Sequence, residues 1–146
     1  MSGAFYRWQV SQGLSIVAHF GGNLDASFPQ ALAERGKTAK RELVMATADS
    51  QLSPEERRQY ANYAKQHLVQ LVVALDGPAT RAMATAVSWF VPFMKVHNFY
   101  NIDEALKDFD VAPEQRLWAA GVLKGWVVER FGAEQVARVR WPAPTG

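Results

Sequence analysis

The chain has 146 residues, a length that suits one domain with a single core. Hydrophobic residues make up 49% and charged residues 21%, and sixteen basic against fourteen acidic residues leave a net charge of +2, too weak a field to argue for nucleic acid. There is no cysteine, which excludes disulfides, thiolate metal sites and cysteine nucleophiles.

Met1 to Val10 has no basic n-region followed by an apolar h-region, so it does not read as a signal peptide. No stretch has the apolar length of a membrane span. A cytoplasmic protein without membrane insertion is the expectation.

Tyr6, Trp8 and Val10 alternate with Arg7 and Gln9, the period of a half-buried strand. Ser11-Gln12-Gly13 is a turn. Leu14 to Phe20 is a second strand, antiparallel to the first, with Leu14, Ile16, Ala18 and Phe20 on one face. Gly21-Gly22-Asn23 breaks that strand. A helix then starts near Asp25 or Ser27, either of which suits the cap, and Phe28, Ala31, Leu32 and Arg35 mark its inward side. Leu43-Val44-Met45-Ala46 reads as a third strand. Ser53-Pro54-Glu55-Glu56 is a strong helix start: Ser at the cap, Pro at the first helical position and Glu three residues after the cap.

Leu68 to Leu75 reads as a central strand covered on both faces. Asp76-Gly77-Pro78 opens a helix whose stripe is Ala79, Met83, Ala86, Val87 and Phe90, and Pro92 ends it. Lys95 to Tyr100 is the last strand. Asn101 and Glu104 cap a short helix that runs through Phe109. A long helix follows from Pro113 to about Phe131, with Gly132 as its stop. Ala133 to Val139 leads into the Trp141-Pro142-Ala143-Pro144 tail. Strands that alternate with single helices imply a largely parallel sheet.

This order brings a family into view. Gly22-Asn23-Leu24-Asp25-Ala26-Ser27 after an apolar strand resembles the "G-x-L-D-A-S/T" segment of STAS domains, the anti-sigma-factor antagonists and their relatives. Leu71 to Leu75 resembles their central strand, and Asp76-Gly77-Pro78-Ala79-Thr80-Arg81 the turn and helix after it. Val96 to Tyr100 with Asp103-Glu104-Ala105-Leu106 is similar to their last strand and helix. The likeness covers roughly residues 5 to 110. It implies an α/β sandwich: a mixed, mostly parallel sheet of about five strands with helices packed on it, no cofactor and no catalysis. It also implies work done by binding another protein. On this reading residues 1–112 form the STAS-like domain and 113–146 a C-terminal helical extension.

The classical family motif "D-S-S-G", whose first serine is phosphorylated, does not carry over. Here Ser53-Pro54-Glu55-Glu56 puts proline at the phosphoacceptor position, and the acidic residue expected near Ala46 is missing. Ser53 therefore reads as an ordinary capping serine before it reads as a switch. On analogy alone, the partner-binding surface is the loop around Asp49, Ser50, Ser53 and Glu55.

His19, His67 and His97 have no ligand-like neighbours, so no metal is expected. No Ser-His-Asp grouping, Walker loop or dinucleotide fingerprint is present. Gly21-Gly22 is a lone glycine pair that suits a tight turn better than a phosphate.

The helix from Pro113 is apolar on more than one face. Trp118, Val122 and Trp126 form one stripe, with Leu117 and Val128 nearly opposite. One face packs on the domain, and the other is expected to meet a second copy or another protein. The competing function is a binder of a small apolar ligand or lipid. A cavity with convergent polar groups favours that second reading; a filled core with an exposed apolar patch favours the first.

Overall fold

The computed structural model describes residues 4–24, 26–78, 80–82, 84 and 94–144. Strands β1 (Tyr6–Ser11) and β2 (Leu14–His19) form an antiparallel hairpin. Gln12 and Gly13 both have positive φ, at 51° and 80°. Two left-handed residues at the tip give the turn a twist that matches the flanking strands.

Next come β3 (Gly22–Asn23), helix α1 (Phe28–Gly36), β4 (Arg41–Ala46), β5 (Ser50–Gln51) and helix α2 (Pro54–Gln66). Strands β6 (Gln70–Leu75) and β7 (Lys95–Asn98) and helices α3 (Ile102–Lys107), α4 (Pro113–Phe131) and α5 (Ala133–Arg138) complete the chain.

The main sheet has five strands in the order β1-β2-β4-β6-β7. Only the β1–β2 pair is antiparallel; β2, β4, β6 and β7 run parallel. The expected α/β architecture is therefore observed: a mixed, mostly parallel five-strand sheet with helices, including a long C-terminal one. The middle strand is β4, with β6 one place nearer the edge.

Strand alternation divides the sheet into two faces. Leu14, Ile16, Ala18, Leu43, Met45, Val72 and Ala74 point to one side. They share a core with Phe99, Ile102 and Leu106 around α3, and with Ala119, Ala120, Leu123, Trp126 and Val127 of α4. Val17, Val44, Ala46, Leu71, Val73 and Leu75 take the opposite register, toward α1 and α2. No helix among the described residues is long and apolar enough to cross a membrane.

Several local expectations change. The second strand ends at His19 and the last at Asn98, where a turn begins at Phe99. Leu68 is not strand: its φ is +53° and it is 73% exposed. It sits between the cap of α2 and β6, where a left-handed residue turns the chain out of the helix. Gly22–Asn23 does more than interrupt a strand, because it pairs in parallel with Ser50–Gln51. Ser27 occupies the cap position of α1, but its side chain does not make the capping hydrogen bond. Asp25 lies outside the described residues. So do Ala79, Met83, Ala86, Val87, Phe90 and Pro92, although Pro78 and Thr80 are helical as expected.

The start of α2 is as the sequence reads. Glu56 N donates to Ser53 Oγ at 3.1 Å, and Ser53 N donates to Glu56 Oε1 at 2.8 Å. Both orphan donors are answered within the segment. Ser53→Ala is expected to lower stability by about 1 kcal/mol in urea unfolding, with an unchanged m-value. No measurable change would mean that the box is not holding α2.

Candidate functional site

The face of the sheet that meets α4 is filled; the opposite face is not. A cavity of about 470 Å³ lies there. Its floor is the row Val17, Val44 and Val73, which stand opposite one another across β2, β4 and β6, with Leu71 and Leu75 beside it. Arg57, Tyr60 and Ala61 of α2 form one wall, Leu24 and Phe28 another, and Thr80, Ala84 and Met94 contribute from beyond β6. The space exists because the wall residues Ala61 and Ala84 and the floor residue Ala46 are too short to fill the gap between sheet and helix. The volume is in the range of small-molecule sites.

One corner of this cavity is polar. It lies at the carboxyl ends of β2 and β4, the edge where parallel α/β sheets place ligands. His19 Nε2 is 2.9 Å from Gly22 O. A carbonyl only accepts, so Nε2 carries the proton. Burial lowers the pKa of His19, although the Gly22 carbonyl and the carboxylates of Glu56 and Asp49 act the other way, so the ring is neutral near pH 7. Ser50 Oγ donates to His19 O at 2.5 Å and accepts from Gly21 N at 3.0 Å. Thr47 Oγ1 donates to Asp49 Oδ1 at 2.5 Å. Gly21 and Gly22 turn the chain here with φ of +110° and +86°. A Cβ on Gly21 would come within 2.9 Å of the Asp49 carboxylate. The glycine pair is thus a turn pressed against Asp49.

Beside the floor, on the same face of the sheet, lies a buried ion pair. Arg35 of α1 and Glu42 of β4 are both 0% exposed, with Arg35 Nε donating to Glu42 Oε1 at 2.9 Å. Tyr63 donates to the same oxygen at 2.9 Å, and Tyr60 donates to Glu42 Oε2. The terminal nitrogens of Arg35 have no partner at hydrogen-bonding geometry. Instead the guanidinium lies 5.5 Å from the Trp8 ring and 5.7 Å from those of Tyr6 and Tyr63. Burial alone would lower the pKa of Arg35, but the Glu42 carboxylate, together with Tyr6 and Tyr63, outweighs it and the net shift is upward. The Tyr6 hydroxyl is pushed up to about 12, chiefly by burial, with Arg35 opposing and Glu42 adding. Tyr60 belongs to both sites: its ring lines the cavity and its hydroxyl holds Glu42.

The residues singled out from sequence fall into two separate groups. Asp49, Ser53 and Glu55 are exposed beside the cavity, and Ser50 lines it, half-buried. Ser50 is tied to the ends of β2, and Glu55 is paired with Arg58. On the other face of the sheet, Trp118 and Val122 are half-buried against the main core and Trp126 is buried in it. The outward apolar residues of α4 are Leu117, Val128 and Phe131, at 36, 48 and 41% exposure. The sheet stands between the two groups.

Sequence reasoning missed His19, Thr47, Tyr60 and Glu42. The available signals were a glutamate inside an apolar strand and several alanines facing a row of valines. Among the described residues, no three His, Asp or Glu side chains converge as a metal site. No protein-family model matches the chain, and no curated protein matches it.

Removing one partner of a buried pair leaves an uncompensated charge. Glu42→Ala should therefore destabilise by about 3–5 kcal/mol. The double change Arg35→Met with Glu42→Leu should recover most of that loss. Urea midpoints of the three proteins decide it, and a single variant within about 1 kcal/mol of the parent, the value of a surface pair, would show that the ion pair is not holding this face.

Proposed function

We propose that this chain is a non-enzymatic binding module whose ligand is small and largely apolar, held in the cavity between the sheet and α2. The observation that carries this reading is the cavity itself: about 470 Å³, floored by valine and leucine, with His19, Thr47 and Ser50 converging at one corner. Of the two readings open from sequence, an apolar space with a few convergent polar groups favours the ligand binder. Kinship with STAS domains belongs to the same proposal. It is supported by the Gly22–Ser27 and Asp103–Leu106 segments and by the order of strands and helices. The capping box around Ser53 supports a form of that module without the serine switch. A cytoplasmic setting is part of this reading and fits a chain with no cysteine.

The protein-binding reading keeps one support of its own. Leu117, Val128 and Phe131 leave apolar surface on α4 that a second copy or another protein would cover. Sedimentation velocity at high micromolar concentration separates the cases: a dimer abolished by Val128→Lys supports a pairing through α4, and a monomer removes self-association.

Ala61 faces the cavity from α2 and is half-buried. Ala61→Phe is expected to fill part of the space and to remove the fluorescence enhancement of the neutral dye N-phenyl-1-naphthylamine, with the fold retained by circular dichroism. Undiminished dye binding to a folded Ala61→Phe protein would place the apolar site elsewhere.

A further inference from the structure

We propose that the ligand of this cavity carries a hydroxyl group and that His19 Nδ1 accepts its hydrogen bond, so that the ligand class is an uncharged aliphatic alcohol. The inference rests on the cavity reading above and deepens it.

The argument is a count of protons at the polar corner. The Nε2–H of His19 is committed to Gly22 O, which leaves Nδ1 of the neutral ring as a lone-pair acceptor. The Ser50 proton goes to His19 O, and the Thr47 proton goes to Asp49. The Tyr60 proton goes to Glu42. The Ser50, Thr47 and Tyr60 hydroxyls and the His19 imidazole therefore offer lone pairs and no free hydrogen; the Tyr6 hydroxyl, edge-on to the His19 ring, is buried with its hydrogen unpartnered. An incoming O–H group satisfies the Nδ1 lone pair where an ether or carbonyl oxygen does not.

Charge argues the same way. The Asp49 and Glu56 carboxylates both act on His19. A carboxylate or phosphate head placed at this corner would meet like charge and the Ser50 and Thr47 hydroxyls, whose hydrogens are already committed. The nearby start of α2 does not help such an anion, because Ser53 already takes the Glu56 N–H. The rest of the ligand lies over Val17, Val44 and Val73, which asks for an aliphatic chain. Arg57 is the charged side chain among the described residues lining the cavity, and it stands on α2 rather than at the His19 corner. An anionic ligand would have to seat there.

Three probes of equal chain length separate these possibilities: 1-decanol, decyl methyl ether and decanoate, titrated at neutral pH into the full ¹⁵N-labelled chain. Amide shifts locate the site, and the His19 ring nitrogens report the hydrogen bond. The expected result is that 1-decanol binds roughly tenfold more tightly than the ether, the worth of one hydrogen bond, and more tightly than decanoate. His19 Nδ1 should move on binding the alcohol and stay still with the ether. His19→Leu should erase the preference for alcohol while ether binding persists. Should that variant not fold, the ring nitrogen shift in the parent protein decides alone.

Equal affinity for alcohol and ether, with shifts at Val17, Val44 and Val73, overturns the hydroxyl assignment and leaves the cavity reading standing. Tightest binding of decanoate with the Arg57 amide perturbed overturns it in favour of an anionic ligand. If none of the three perturbs the cavity residues at the limit of solubility, the cavity reading falls and the hydroxyl assignment with it.

Discussion

Glu42 stands on the middle strand of the sheet with no exposure to water, and a carboxylate in that position must find a cation inside the protein. Arg35 is that cation, and its reach ties the last turn of α1 to β4. Two tyrosines of α2 complete the carboxylate's hydrogen bonds, and Tyr6 and Trp8 of β1 close over the guanidinium. One buried pair thereby fixes the positions of α1, α2, β1 and β4 relative to each other. Apolar contacts such as Phe28 against Tyr60 add area, but they do not specify register as a directional pair does.

That anchoring explains why the two faces of the sheet differ. On the α4 face leucine, phenylalanine and tryptophan side chains interdigitate in a close-packed core, and the polar contacts of Gln70 and His97 with Asp108 lie at its β6–β7 side. On the other face α2 is held at a distance set by Tyr60 and Tyr63 reaching Glu42. Further along the same helix the short side chain of Ala61 lines the cavity at the edge of the cluster formed by Leu71, Val73 and Leu75. A helix pinned through long side chains and lined with short ones leaves room beneath it. The cavity is thus a geometric consequence of the ion pair, and Tyr60 is the residue at which the two meet.

The polar corner follows from topology. Parallel strands β2 and β4 end side by side, so His19 lies opposite Ala46 and the chain after each strand must turn in the same place. Gly21-Gly22 makes one turn and Thr47 to Ser50 the other, and the short β3–β5 ladder joins them. The hydroxyls there are consumed in holding the two turns together. Ser50, which the sequence offered as a surface residue for a partner, is a bracket between strand ends.

How much of this was legible beforehand depended on the range of the forces involved. Alternation in Tyr6–Val10, the Ser53 capping box, the long helix from Pro113 and its stop at Gly132 are local patterns, and each is present where the residues place it. Such elements are set by neighbours within a turn or two of chain, so the sequence by itself determined the α/β class and most element boundaries. Leu68 departs because its left-handed conformation answers to the end of α2, not to its own side chain. The pairing of Arg35 with Glu42, the proton assignment at His19 and the existence of a cavity are different in kind. They depend on which side chains arrive together from α1, α2, β2 and β4, and on how much volume those chains leave unfilled. Only the tertiary structure decided them, because burial, and with it the strength of every charge and hydrogen bond, is a property of the assembled layers and not of any one segment.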